Sequence, residues 1–223
     1  MDVFSAMQGL NNVKKFKPDA VDDKLVGVIL YMAGQATSAG NMQEWRFIVV
    51  KDEKQKERLF TTCLKQSQMK EAPVDIIVCA DLKRASTKYE KRGELVYSLQ
   101  DTAAAIQNMM ISAKGLGLGA YWVRAFDEEG VKEIASLPEN IRPIAVVAIG
   151  YPESMDNSDR FDFDGLTWVE KFGEKYEISY IIQQPGVRRL PKPIGNMIED
   201  AVKKHKGKGK KTSFSKFLEK LSG

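Results

Sequence analysis

Leu25, Val26, Ile29, Leu30 and Met32/Ala33 recur at helical spacing behind Pro18 and Asp19, which predicts a helix over 22–36. Gly34 and the small residues up to Gly40 stop it. The run WRFIVV (45–50) is short, β-branched and aromatic, so it predicts a strand, and 52–64 returns to helix with Phe60 and Leu64 on one face. A second strand, 74–80, follows Pro73; the polar stretch 83–92 predicts a mobile surface segment with the character of a lid. Leu95, Leu99, Ala103, Ile106, Met110 and Ala113 then mark a long helix over 94–114, the spine of the domain, with apolar surroundings. A strand over 120–125, a helix over 128–137 and an apolar strand over 144–151 complete the pattern. Strands interleaved with helices, the last strand apolar on both faces, predict an α+β fold (an α/β sandwich) around a central mixed sheet.

At 223 residues, 43% hydrophobic and 29% charged, the chain suits a sizeable core and excludes a disordered chain, a coiled coil or a disulfide miniature. The longest apolar stretch, 143–151, is about half of the roughly 20 residues that cross a bilayer, and the opening residues resemble no leader, so a cytoplasmic location is expected. Cys63 and Cys79 read as buried thiols in a reducing compartment. Of the +4 net charge, residues 203–223 alone hold eight Lys and one Glu, which leaves the rest at −3. The basicity belongs to the tail. Two parts are therefore expected: a domain over 1–182 and an extension over 183–223, with a Pro- and Arg-rich connector (185–193), a short helix (194–202), a flexible GKGKK linker and an apolar stripe of Phe214, Phe217, Leu218 and Leu221. The extension reads as a solubilising tail, a helix docking on a partner subunit, or a lysine patch for nucleic acid or an anionic membrane.

His205, the single histidine, lies in that tail. A Ser-His-Asp triad, a Cys-His pair and the common His-bearing zinc sites lack their imidazole, and no metal site is expected. Any redox chemistry then needs a cofactor. GLGLG (115–119) follows a helix and precedes a strand, the reverse of a phosphate-cradling GxGxxG, so it reads as a helix C-cap and tight turn. The loop 36–47 places Ser38, Asn41 and Gln43 between a helix end and a strand, as neutral hydrogen-bonding groups suited to a cofactor's polar edge, or simply as a cap and turn.

ATSAGNMQEWRF (36–47) resembles the PS-x-x-N-x-Q-P-W-x-F signature of the nitroreductase family. Three further stretches resemble family segments in the same order: NNVKKFKPDAV (11–21), QSQMKEAPVDIIVCAD (66–81) and the block from GLGLGAYWVRAFDEEG to AVVAIGYP (115–152). The resemblance spans residues 3–152, with a looser echo to 172. It implies a mainly antiparallel mixed sheet flanked by helices, an intertwined homodimer, and FMN bound between the subunits.

Carried over residue by residue, the resemblance implies that Asn11, Asn12 and Lys14 contact the phosphate and ribityl groups. Leu10 stands where Arg is usual, Asn12 replaces a Ser and Lys14 an Arg, so a point charge replaces a bidentate fork and FMN is held less tightly. Ser38, Ala39 and Asn41 match positions that close over the flavin from the partner subunit, Gln66 one that addresses the pyrimidine edge, and Trp122, Val123, Arg124 and Ala125 the strand whose main-chain N–H groups face flavin N5 and O4. Arg124 replaces a frequent Gly; its guanidinium meets an anionic substrate or faces solvent. Arg160 is the nearest match to the family's C-terminal phosphate residues.

No side chain is implied as catalytic. The implied activity is an NAD(P)H-dependent oxidoreductase moving hydride through flavin N5 to a small electron-poor acceptor of the nitroaromatic or quinone type. The alternatives are a flavin-binding or interaction module with little turnover, and specialised members such as dehalogenases or the flavin-destroying cobalamin-ligand synthase.

Overall fold

Five helices begin behind an aspartate whose carboxylate accepts a main-chain N–H of the first turn: Asp2 before α1 (Val3–Gln8), Asp22 before α2 (Asp23–Ala33), Asp52 before α3 (Glu53–Thr62), Asp81 before α5 (Leu82–Arg92) and Asp127 before α7 (Glu128–Ile134). The remaining elements of the computed structural model are β1 (Val13–Phe16), β2 (Trp45–Val50), α4 (Ser67–Glu71), β3 (Val74–Asp81), α6 (Ser98–Gly115), β4 (Gly119–Val123), β5 (Ile141–Gly150) and β6 (Pro152–Met155). The structure describes residues 1–156, 160 and 166–175. The chain divides into two compact units, Met1–Ser158 and Asp159–Gly223. The expected connector, short helix, linker and apolar stripe of 185–221 lie outside the described residues.

In the first unit the sheet order is β2-β3-β5-β4, and every described pair is antiparallel. β1 and β6 form a separate antiparallel ribbon. The alternation of β3 and β5 sends Ile76, Val78, Ala145, Val147 and Ile149 to one face, against Ile29, Ile106 and Met109 of α2 and α6. Ile77, Cys79, Val146 and Ala148 fill the other face with Leu59, Cys63 and Met69. Both strands read as continuous apolar runs because both faces are covered. Burial pushes the Cys63 and Cys79 thiols up to about 12, which keeps them inert.

Three sequence expectations change. Residues 83–92, read as a mobile lid, form α5, with Ala85 buried. The helix turns back at Glu90, whose φ is 47°, and a π-helical turn, Gly93–Tyr97, leads into α6. That wider turn slips the phase of the 94–114 stripe: Ala105, Ile106, Met109, Met110 and Ala113 are buried, whereas Leu95 and Leu99 are 63% and 39% exposed. Leu64, expected on a helix face, adopts φ 58° beyond the end of α3 and is exposed. The GLGLG expectation agrees with the structure: Leu118 N–H reaches the Ala113 carbonyl (2.9 Å) and Gly117 sits at φ 80°, a glycine-terminated helix end. Gly119 allows close packing, since a Cβ there would lie 2.3 Å from a Val13 methyl.

The second unit is described over Arg160 and 166–175, where Trp168 bridges Lys175 and its ring lies 4.3 Å from that of Phe172.

Candidate functional site

Three groups of the residues singled out in the sequence are built by different parts of the first unit. At the β1/β6 ribbon, the Asn12 carbonyl accepts the Asp156 N–H (2.8 Å), and the Lys14 amine lies 3.1 Å from the Asp156 carboxylate. Lys15 pairs with Glu153 at 2.9 Å, which raises the lysine's pKa through that hydrogen bond. Lys14, the cation expected to meet the phosphate, is thus already paired. The Asn11 and Asn12 carboxamides, half-buried, make no hydrogen bond among the described residues.

Gln66 and the end of β4 come together. The Gln66 Nε2 donates to the carbonyls of Cys63 (2.8 Å) and Ala125 (3.0 Å), and its Oε1 accepts the Tyr121 hydroxyl (3.0 Å). Both amide hydrogens are therefore spent within the chain, leaving one acceptor lone pair for a ligand. This narrows the role expected of Gln66: it fixes the backbone that follows β4. Val123 is buried in the core, so only its main chain is available. Arg124 and Ala125 leave the strand, and their main-chain N–H groups meet no acceptor among the described residues. The Arg124 guanidinium lies 3.8 Å from the centroid of the Trp122 ring.

The third group is the loop before β2. A short 3-10 turn, Ala39–Asn41, places Gly40, Asn41 and Gln43 in left-handed backbone at φ 55°, 59° and 50°. The Ser38 hydroxyl accepts the Gln43 N–H (3.0 Å), Gln43 Nε2 donates to Asn41 Oδ1 (2.7 Å), and the Ala39 N–H donates to Asp101 (2.8 Å). Arg84 of α5 donates to the Met42 carbonyl. Ser38 and Asn41 are thereby shaped more by each other's neighbours than by solvent. Sequence reasoning missed the residues beneath the loop. Glu44, 1% exposed, has one carboxylate oxygen with no partner among the described residues, and burial first, then Asp101, pushes its pKa up to about 6. The available signal was the signature itself, in which Glu44 stands at a proline position.

The loop adjoins β2 at one edge of the sheet and Trp122–Ala125 extends β4 at the other, so one chain does not join them across three strand spacings, roughly 14 Å. Arg160 belongs to the second unit. Among the described residues no cluster of His, Cys, Asp and Glu could hold a metal, and no helix is long and apolar enough to cross a membrane.

The chain is similar to several known proteins. The chain is 33% identical to a Methanothermobacter thermautotrophicus protein described as a NADH dehydrogenase/NAD(P)H nitroreductase, over 74% of this chain and 86% of that one. It is 27% identical to a 5,6-dimethylbenzimidazole synthase of Rhodospirillum rubrum, over 65% and 79%. Among solved structures, a Clostridium acetobutylicum protein described as a NADH oxidase is similar at TM-score 0.65 and 32% identity, covering 77% of this chain and all of that one. A sequence model described as the Nitroreductase family matches residues 12–68 and 60–151, so the ribbon, the Gln66 clamp and the loop before β2 all fall within a chain that belongs to the nitroreductase family.

Proposed function

We propose that two copies of this chain form an FMN-dependent oxidoreductase that passes reducing equivalents from NAD(P)H to a small electron-poor acceptor of the nitroaromatic or quinone type. NAD(P)H-dependent oxidoreduction with FMN as cofactor follows from family membership and from relatives named FMN reductase; the acceptor class, the pairing of copies and the residue assignments are the proposal.

The residues present fit FMN by their chemistry. The observation that carries the reading is the end of β4, where Gln66 pins the Ala125 carbonyl and the main-chain N–H groups of Arg124 and Ala125 have no acceptor among the described residues. Such fixed amides favour negative charge with no reorganisation. The unpartnered carboxamides of Asn11 and Asn12 would hold ribityl and phosphate oxygens, with Lys14 turning from Asp156 to the phosphate. Ser38, Ala39 and Asn41 would close the site from the partner copy. Bound FMN would supply the hydride chemistry that the side chains lack. The chain's own part is to bind, orient and exclude water. The domain division at 182/183 belongs to the same proposal.

One observation favours a weaker form of this reading: with Lys14 paired to Asp156, just beyond β6, the phosphate must displace an ion pair, which lowers affinity. The visible spectrum tests both. A yellow protein that NAD(P)H bleaches anaerobically, and that a quinone or nitroaromatic restores, supports the enzyme; colourless protein that added FMN does not convert overturns it. Yellow protein that bleaches at a negligible rate supports the low-turnover module instead.

A further inference from the structure

Arg124 is exposed, and the three carboxylates that next follow it, Asp127, Glu128 and Glu129, are each engaged elsewhere. Asp127 caps α7 by accepting the Glu129 N–H (3.2 Å). Glu128 holds Arg142 through two hydrogen bonds of 3.0 and 2.8 Å, an arrangement that lowers the pKa of the acid and raises that of the arginine. Glu129 pairs with Lys132 at 2.7 Å. Arg124 meets no acid among the described residues, and its one recorded side-chain contact is the face of Trp122.

That contact has a mechanical consequence. An arginine free in solvent samples many rotamers, and much of that freedom is lost when it grips a ligand. A guanidinium 3.8 Å from a ring centroid is stacked, well inside the roughly 6 Å reach of a cation–π pair. Its N–H donors meet no acceptor among the described residues. The backbone beneath it is also fixed, because Gln66 ties the Ala125 carbonyl to the Tyr121 hydroxyl from the two sides of Arg124. The fork is held by Trp122 and has no acidic partner among the described residues.

We propose that Arg124 is a specificity-determining residue of the substrate slot, its guanidinium held against Trp122 so that the N–H fork meets a carboxylate or phosphate on the small molecule that enters. The inference rests on the proposed flavin site at the end of β4 and adds an anionic substrate class to it. Two sources present that chemistry: a carboxylate on the electron acceptor, or the 2′-phosphate that distinguishes NADPH from NADH.

The test uses the full chain loaded with FMN, as wild type and as Arg124→Gln, which keeps the stem and removes the charge. Calorimetric titration with benzoate and with benzamide, neither of which is reduced, reads the acceptor source. Anaerobic rapid-mixing reduction by NADPH and by NADH reads the donor source. Wild type is expected to prefer the anion in at least one pair, and the substitution to cut that preference about tenfold or more, the loss of one charge-assisted bidentate contact. Arg124→Lys restores only part of it, because an ammonium is a point charge. If both ratios are the same in wild type and Arg124→Gln while the protein remains yellow and NAD(P)H still bleaches it, the anion role is wrong and the flavin reading stands. If the protein takes up no FMN, both fall.

Discussion

Glu44 shows what a single side chain costs when it is buried for the sake of its neighbours. Burial, with Asp101 adding to it, raises its carboxyl from the ordinary 4.5 to about 6, while its own backbone and Arg84 oppose. The folded state therefore binds that proton more tightly than the unfolded chain, so this contribution to stability is fully present below pH 4.5 and is lost as the pH rises through 6. A shift of that size corresponds to about 2 kcal/mol. Glu44→Gln keeps the shape without the charge and is expected to flatten the stability profile between those limits, gaining up to about 2 kcal/mol at pH 7 by urea unfolding. Identical pH profiles for the two proteins would show that Glu44 does not carry the slope. Asp75 on β3 acts in the same direction: it is fully buried, both oxygens lack a partner among the described residues, and burial holds its carboxyl well above the usual range against the opposing charge of Lys56. The slope that survives Glu44→Gln is expected to shrink further in Asp75→Asn.

Elements here are positioned by close approaches that only the assembled chain creates. A Cβ on Gly93 would lie 2.0 Å from the Ala85 carbonyl oxygen, so α5 folds back on the π-helical turn because residue 93 has no side chain. Gly93→Ala forces backbone to move and is expected to destabilise by about 1–3 kcal/mol, lowering Tm by roughly 2–10 °C in a thermal melt. An unchanged Tm would mean that the hairpin is looser than its packing. Gln66→Leu is expected to cost about 1–3 kcal/mol, since it strands the Ala125 carbonyl and the Tyr121 hydroxyl, and to weaken FMN binding measured by fluorescence titration. The sequence made some of this legible and hid the rest for physical reasons. The β3 and β5 runs announced themselves because strands covered on both faces must be continuously apolar, and β2, partly exposed, through its β-branched and aromatic residues. The loop at 36–47 and the segment at 122–125 were legible through their motif, and the glycine turn at 115–119 through helix order. Nothing local marks α5, whose side chains are polar because one face alone meets the protein, nor α1, which is only six residues long. The phase slip at Gly93–Tyr97 was hidden too, because leucines at helical spacing look alike whether or not a wider turn precedes them.

At the scale of the whole molecule, the two halves of the proposed site lie at opposite edges of one sheet, with the Ser38–Asn41 turn beside β2 and the Arg124 amides beyond β4. Neither can approach the other without breaking β3 and β5, whose strands fill both core layers. The site is completed, on this reading, by a second copy, and the surface has apolar groups to bring one in. Leu95 projects from the π-helical turn and Leu99 from the start of α6, and Phe4 and Met7 from α1 are about half exposed. Stable pairs of chains bury about 1,200–2,000 Å² in all, with apolar side chains at the centre. A charge at such a point opposes pairing while leaving the fold of each copy intact, because both leucines already face outward. Leu95→Glu/Leu99→Glu is therefore expected to sediment as a monomer with an unchanged far-ultraviolet circular dichroism spectrum, and to lose its yellow colour on gel filtration while the parent protein keeps it. A folded monomer that retains FMN as tightly as the parent would place the whole cofactor site within one chain, and the loop before β2 would then need another purpose.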